Sequence, residues 1–242
     1  MTLETLAWDA PGPYRVAFST RLGGVSEAEY ASLNLGIKTE DEPERVAENR
    51  RRLCAATGAD PAVATMALQQ HGPTVLQAER RGLVPGTEYA PGDGLWSDEP
   101  GQAMLLITAD CLPIALARTN GAAPALAVLH AGWRGLLEGI VGAGVSALGG
   151  GKLAAAIGPA IGPCCYEVGD EVAAPFRETF GSDVVRGRNL DLWASAERAL
   201  RAAGVERIDR FDLCTACDEY RFFSHRRDRG RTGRQGVIGY VA

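Results

Sequence analysis

The stretch Leu129-His130-Ala131-Gly132-Trp133-Arg134-Gly135 joins two apolar segments of different length. The run before it, residues 125–129, is short and typical of a buried strand, whereas residues 136–148 after it are long and apolar enough for a helix. The pattern therefore presents His130 at the carboxyl end of a strand and Arg134 at the amino end of a helix, where the helix dipole favours an anion. Such a histidine is either a plain turn residue or part of a site, and the stretch alone leaves both roles open.

The composition is that of an ordinary globular chain. Hydrophobic residues make up 46% and charged residues 23% of the 242 positions, and a chain of this length buries roughly 70% of its unfolded surface, so it needs no disulfide to hold a core. This length allows one compact domain or two intimately joined halves, and we expect residues 1–242 to form a single compact domain. The six cysteines are then core thiols, metal ligands or nucleophiles.

Charge and hydropathy argue against several classes of partner. The sequence has no apolar run of bilayer length, and residues 1–13 lack the basic and then hydrophobic order of a signal peptide, so we expect a cytoplasmic protein without membrane association. The net charge of −5 argues against nucleic acid, although the basic cluster of residues 225–234 could bind a small phosphate. A monomer is expected.

Hydrophobic periodicity predicts strands and helices that do not alternate regularly. Because a doubly wound parallel sheet requires regular alternation, the order of elements favours an α+β (mixed α/β) fold. The predicted strands include residues 14–19, 104–108, 153–157, 208–213 and 237–241, and the predicted helices include residues 41–57, capped by Asp41 and ended by Gly58, 171–180 and 191–203.

Three potential metal ligands lie where apolar segments give way to turns. His71 lies in a His-Gly-Pro turn, Cys111 lies between two predicted buried strands, and His130 ends a predicted strand. Two imidazoles and one thiolate suit zinc, and three protein ligands leave a fourth position open for catalysis. The separations of 40 and 19 residues match no short metal motif, so a cysteine–histidine nucleophile built on Cys111 remains the alternative. The Cys214-Thr215-Ala216-Cys217 motif has no second pair at zinc-ribbon spacing and favours ordinary thiols.

A series of motifs runs from about residue 19 to the end of the chain. These are Thr20-Arg21-Leu22-Gly23-Gly24-Val25-Ser26, Asn34-Leu35-Gly36, Asn49-Arg50, Gln70-His71-Gly72, Asp93-Gly94, Asp110-Cys111-Leu112-Pro113, His130-Ala131-Gly132-Trp133-Arg134-Gly135, Ile157-Gly158-Pro159, Cys164-Cys165-Tyr166-Glu167-Val168-Gly169, Phe222-Phe223-Ser224 and Arg226-Arg227. Together they resemble the family variously named multicopper polyphenol oxidase (laccase), peptidoglycan editing factor and purine nucleoside phosphorylase. The order of the Asp-Cys-Leu-Pro and His-Ala-Gly-Trp-Arg-Gly motifs makes the resemblance specific.

The resemblance implies a fold and a metal site. It implies irregular mixed sheets with intertwined halves, similar to a toxin-deamidase-like cysteine hydrolase fold, and zinc ligands at His71, Cys111 and His130. After Phe-Phe-Ser the family has tyrosine or histidine, and this chain has His225. A full multicopper set needs on the order of ten histidines, and the chain has three. Copper would therefore be adventitious.

The resemblance also implies a reaction. It points to phosphorolysis of adenosine, inosine, guanosine and methylthioadenosine to free base and sugar 1-phosphate, with adenosine deamination as a second activity. The expected partners are thus a small nucleoside and phosphate. Phosphorolysis requires arginines that hold an anion, and deamination requires an activated water, which zinc can supply, with a proton shuttle. The candidates for binding the phosphate anion are Arg21, Arg134 and Arg226. Asp93 or Asp110 could serve as the proton shuttle, and Gln70 could orient a metal ligand through a hydrogen bond.

Two other functions stay open. The family names also suggest a hydrolase that edits a peptidoglycan precursor, with Cys111 or the zinc site cleaving an amide. A non-catalytic, zinc-stabilised nucleoside-binding module belongs to a different class altogether.

Overall fold

The computed structural model describes residues 2–36, 38–83, 88–119 and 123–242. The strands in these residues are β1 (Thr5–Trp8), β2 (Tyr14–Ser19), β3 (Val75–Gln77), β4 (Gly94–Ser97), β5 (Met104–Thr108), β6 (Leu112–Arg118), β7 (Leu126–Ala131), β8 (Leu153–Ile157), β9 (Val185–Arg186), β10 (Asn189–Leu190), β11 (Arg207–Arg210) and β12 (Gln235–Val241). The α-helices are α1 (Pro43–Thr57), α2 (Trp133–Leu137), α3 (Ile140–Ala147), α4 (Asp170–Phe180) and α5 (Leu192–Ala202).

The fold is built mainly from a four-stranded and a six-stranded sheet. An antiparallel sheet has the order β1-β2-β12-β5, so the first strands pair with the last. A larger sheet has the order β11-β8-β6-β7-β4-β3, with parallel pairs at its two edges and antiparallel pairs between them. Strands β9 and β10 form a separate antiparallel pair. The predicted α+β class is thereby confirmed.

The alternation of side chains along β6 shows how the layers pack. Ala115 and Ala117 face the smaller sheet, whereas Ile114 and Leu116 face a cluster that includes helices α3 to α5. The opposite face of the smaller sheet packs on Leu53 of α1. The order of layers is therefore helix, small sheet, large sheet, helices.

Several predicted boundaries are confirmed and others need correction. The strands predicted at residues 14–19, 104–108 and 153–157 occur as predicted. The helix predicted over residues 136–148 is instead two helices, because Gly139 between them has a φ of 88°, which a helix interior does not allow. Asp41 does not cap α1; its carboxylate accepts hydrogen bonds from Ser26 and Asn34 instead. The strand predicted at residues 208–213 ends at Arg210. None of the helices in the described part of the chain combines the length and the apolar character needed to cross a bilayer.

Candidate metal centre and active site

Neighbouring strands of the large sheet bring the predicted ligands together. Strands β6 and β7 are antiparallel with Pro113 opposite His130, so Cys111, just before β6, lies beside the end of β7. Strand β4 pairs with the other edge of β7, which puts Asp93, just before β4, next to His130. His71 is in the turn that leads to β3, the parallel neighbour of β4.

The ligand atoms of His71, Cys111 and His130 all lie within 4.8 Å of one another. The two imidazole rings meet edge to face, with centroids 4.8 Å apart. His130 is buried, Cys111 is half-buried and His71 is exposed, so the cluster is closed on one side and open on the other. This arrangement matches a three-ligand site with an open coordination position.

One buried carboxylate fixes the geometry of two of these ligands. Oδ1 of Asp93 lies 2.8 Å from Nδ1 of His130, which leaves Nε2 of that ring for a metal. The same carboxylate accepts hydrogen bonds of 2.9 Å from the backbone N–H groups of Gln70, His71 and Gly72. With its two oxygens engaged in this way, Asp93 holds the ring of His130 and the turn of His71 in place; its predicted role as a proton shuttle stays a prediction.

The charges within the cluster favour a thiolate. Burial raises the pKa of Cys111, but the adjacent His130 and His71 outweigh it and lower the pKa to about 6. Burial likewise opposes the charged form of His130, yet Cys111 and Asp93 raise its pKa to about 9. A thiolate beside imidazoles is the donor set that zinc prefers, and a metal ion would replace the imidazolium proton as the partner of the thiolate.

Space and backbone conformation also fit a metal. A Cβ atom added to Gly132 would lie 3.1 Å from Cδ2 of His71 and 3.2 Å from Sγ of Cys111, so the glycine keeps the cradle open. His71 and Asp110 both have positive φ angles, 64° and 88°, which residues other than glycine adopt rarely. The residues present therefore fit a single zinc ion.

The cluster opens on a cavity of about 930 Å³, a volume typical of small-molecule sites. Its lining includes all three ligands, and Asp110 and Tyr166 stand beside them. The hydroxyl of Thr108, also in the lining, is buried and has no hydrogen-bond partner among the residues that the structure describes. Such a group is costly unless a ligand or water pairs with it.

Asp110 is held in place by two loops. Its Oδ1 accepts a hydrogen bond of 2.6 Å from Oγ1 of Thr215, and its Oδ2 accepts one of 2.7 Å from the backbone N–H of Arg226. Unlike Asp93, Asp110 lines the cavity. Of the two predicted proton carriers, Asp110 is thus the one that can meet a bound molecule.

The predicted anion-binding residues separate into two groups. Arg226 lines the cavity, with its guanidinium 5.1 Å from the centroid of the Tyr166 ring. The structure does not bring the other two into that wall: Arg134 is exposed and stacks on Trp133, and Arg21 donates hydrogen bonds to the carbonyls of Ala31 and Glu219. The helix that follows Gly132 has only five residues, so it offers little of the dipole that the sequence suggested.

Other cavity residues were missed or only partly anticipated. Arg234 lines the cavity. Burial lowers the pKa of its guanidinium, and the nearby Cys111 and Asp110 oppose this shift. Arg234 belongs to the basic cluster at residues 225–234, as does His225, which also lines the cavity. Gln70, predicted to orient a ligand, contributes its backbone and has an exposed side chain; Gln69 lines the cavity instead.

Comparison with known proteins shows which family the chain belongs to. The sequence model of the family described as "Multi-copper polyphenol oxidoreductase laccase" matches residues 15–241. A purine nucleoside phosphorylase of Pseudomonas aeruginosa is 40% identical over 237 residues, covering 94% of this chain and 93% of the relative. The purine nucleoside phosphorylase YfiH of Escherichia coli is 38% identical with the same coverage.

Solved structures show the same fold. The crystal structure of YlmD from Geobacillus stearothermophilus superposes with a TM-score of 0.89 at 34% sequence identity, covering 97% of this chain and 94% of that one. The chain therefore belongs to the multi-copper polyphenol oxidoreductase laccase family.

Proposed function

We propose that this protein is a zinc-dependent purine nucleoside phosphorylase. The observation that supports this most strongly is the opening of the His71, Cys111 and His130 cluster onto a cavity that also carries Arg226 and Arg234. The names of the relatives, which are about 40% identical, point to the same activity.

Zinc held by His71, Cys111 and His130 would supply a Lewis acid with one open coordination position. Asp93 would hold the ring of His130 and the backbone of residues 70–72, and so orient two of the three metal ligands. A laccase reaction does not fit, because the chain has three histidines and a full copper set requires on the order of ten.

Basic side chains on the cavity wall are suited to phosphate. Arg234 donates through Nη1 to the carbonyls of Thr232 and Gly233, which fixes its guanidinium and leaves its other N–H groups for an anion. Arg226 donates through Nη1 to the carbonyl of Glu167 while its plane faces Tyr166. With Lys38 on the same cavity, these residues would neutralise phosphate next to the metal site.

The remaining wall suits a purine nucleoside. Met66, Ile107 and Tyr166 provide apolar and aromatic surface for a planar base. The hydroxyl of Thr108, which has no partner within the described part of the chain, would hydrogen-bond to a polar atom of the base or sugar. As the family resemblance implies, we expect adenosine, inosine, guanosine and methylthioadenosine as substrates.

The reaction would break the bond between C1′ of the sugar and the purine nitrogen. Phosphate oxygen would form the new bond to C1′, and the leaving base would take up a proton. The arginines would stabilise phosphate as positive charge develops on the sugar. Asp110, fixed beside Cys111 by Thr215 and Arg226, is our candidate for proton exchange with the base. Adenosine deamination is proposed as a second activity of the same site.

The test is base release from each nucleoside by zinc-loaded protein with and without inorganic phosphate. We expect release to require phosphate and to fall to background in Cys111→Ser. Cys54→Ala is the matched control, since Cys54 is a buried core thiol outside the cavity. Release without phosphate would indicate a hydrolase and reopen the peptidoglycan-precursor amidase. Nucleoside binding with no turnover would indicate the zinc-stabilised binding module.

A further inference from the structure

Four cysteines outside the active-site cluster converge on one point. Cys164 and Cys165 lie in the loop after β8, and Cys214 and Cys217 lie in the loop after β11. Their sulfur atoms all lie within 4.8 Å of one another. The CxxC motif does have a second pair, but this pair is two adjacent residues on a neighbouring loop, about 50 positions earlier.

The sulfur spacing fits a single tetrahedral ion. Sγ of Cys217 lies 3.4 Å from Sγ of Cys164 and 3.3 Å from Sγ of Cys165. Four sulfurs at a zinc–sulfur distance of about 2.3 Å form a tetrahedron with edges of about 3.8 Å. The observed group is close to this size, and a limit of 4.8 Å leaves no room for a multi-iron cluster.

The backbone around the four sulfurs is already organised. The loops pair through a bridge between Ala160 and Cys214, with a hydrogen bond of 3.0 Å from the N–H of Thr215 to the carbonyl of Ala160. The N–H of Gly162 points at Sγ of Cys214 at 3.3 Å. Backbone N–H groups directed at sulfur stabilise thiolate ligands.

We propose that Cys164, Cys165, Cys214 and Cys217 bind a second zinc ion in a closed tetrathiolate site. Soft thiolates in tetrahedral S₄ geometry select zinc or iron among biological metals, and four protein ligands leave no position for a substrate. The second ion is therefore structural. This proposal does not rest on phosphorolysis at the first site.

The second ion would act on the active site through the loops that it joins. Tyr166, next to Cys165, lines the cavity. Thr215, between the two cysteines of the other loop, donates to Asp110, and its carbonyl accepts a hydrogen bond of 2.9 Å from Nη1 of Arg227. Joining these loops would hold the part of the cavity wall that carries Tyr166 and Asp110, next to Cys111.

Disulfides are the competing outcome for the same sulfurs. Cys217 is nearly equidistant from Cys164 and Cys165, so the geometry selects no single pair for oxidation. A disulfide needs a sulfur–sulfur distance of about 2.05 Å and would exclude the ion. Metal and disulfide are thus mutually exclusive results.

The experiment is elemental analysis of protein purified without a metal-affinity column, under reducing conditions. We expect two zinc ions per chain in the wild type and one in the double variant Cys164→Ser with Cys217→Ser. Cys111→Ser is expected to lose the other ion, and Cys54→Ala to keep both. One ion in the wild type that only Cys111→Ser removes would overturn the proposal.

Cobalt substitution keeps the test decisive if the double variant fails to fold. Cobalt(II) bound to four thiolates gives strong sulfur-to-metal charge-transfer absorption, which scales with the number of thiolate ligands. Cobalt-loaded Cys111→Ser should therefore keep most of the wild-type absorption. Loss of nearly all of it, or mass-spectrometric detection of disulfides among the four cysteines in freshly isolated protein, would contradict the second site.

Discussion

The carboxylate of Asp93 lies 2.8 Å from Nδ1 of His130 and also holds the turn of His71 through three backbone N–H groups. Two ligands that are distant in sequence thus depend on one buried side chain. The cluster is preorganised by this carboxylate as well as by the sheet.

Asp93→Asn should weaken metal binding more than it changes the fold. The amide cannot accept all four hydrogen bonds and presents N–H groups to other donors, so His71 and His130 lose their orientation. We expect zinc affinity to fall on the order of 10- to 100-fold, as measured by competition with a chromogenic chelator. Asp98→Asn, at an exposed acid after the same strand, is the control. Unchanged affinity in Asp93→Asn would show that this carboxylate does not position the ligands.

The same carboxylate should make the metal-free protein sensitive to acid. Burial raises the pKa of Asp93, but the hydrogen bonds from His130 and the backbone outweigh it and lower the pKa from 3.8 to about 2. Its stabilisation is therefore complete above pH 3.8 and is lost as the pH falls towards 2, a change of roughly 2 kcal/mol. Denaturant unfolding between pH 5 and 2 should show this loss in the wild type and a flatter profile in Asp93→Asn. Parallel profiles for the two proteins would refute the assignment.

The active-site cradle should not tolerate a methyl group at Gly132. In Gly132→Ala the new Cβ would press on His71 and Cys111 at 3.1 and 3.2 Å, so turnover and zinc affinity should fall on the order of tenfold. Gly142→Ala is the matched control, because a Cβ at this exposed position in α3 meets nothing within 4 Å. The control should gain roughly 1 kcal/mol of stability. Equal activity in the two variants would argue against a tight cradle.

The predicted strands were accurate where apolar runs alone determine structure. Residues 14–19, 104–108 and 153–157 are buried strands whose ends coincide with turn residues, so local pattern was sufficient. The break at Gly139 was not predicted, because residues 136–148 are mostly apolar and suggested one continuous helix, whereas the positive φ of Gly139 is evident only in the structure.

The sequence predicted which three residues form the cluster, but it did not predict the contacts that hold them in place. His71, Cys111 and His130 stood out as polar groups at the ends of apolar segments. The role of Asp93 depends on the pairing of β4 with β7, and the convergence of Cys164 and Cys165 on Cys214 and Cys217 depends on two loops joined through the sheet. These are long-range contacts that residue spacing does not encode.

Arg234 should determine phosphate affinity. Removing its charge in Arg234→Gln should raise the KM for phosphate roughly 10- to 100-fold, since a charge-assisted hydrogen bond contributes about 1.5–3 kcal/mol. The KM for the nucleoside should change much less. Arg81→Gln, at an exposed arginine paired with Glu79, controls for net charge. Arg134→Gln should also leave the KM for phosphate near the wild-type value, because Arg134 stacks on Trp133 outside the cavity. A larger effect of Arg134→Gln than of Arg234→Gln would reverse the two assignments.

We propose that phosphate, and not water, attacks the sugar at the His71, Cys111 and His130 site. The most direct measurement is the identity of the sugar formed from inosine by zinc-loaded protein in isotopically labelled phosphate, read by mass spectrometry. We expect ribose 1-phosphate that carries the label, in equal amount to hypoxanthine, and none of it after zinc removal. Free ribose with unlabelled oxygen, or no turnover of any purine nucleoside by protein that contains zinc at this cluster, would contradict it.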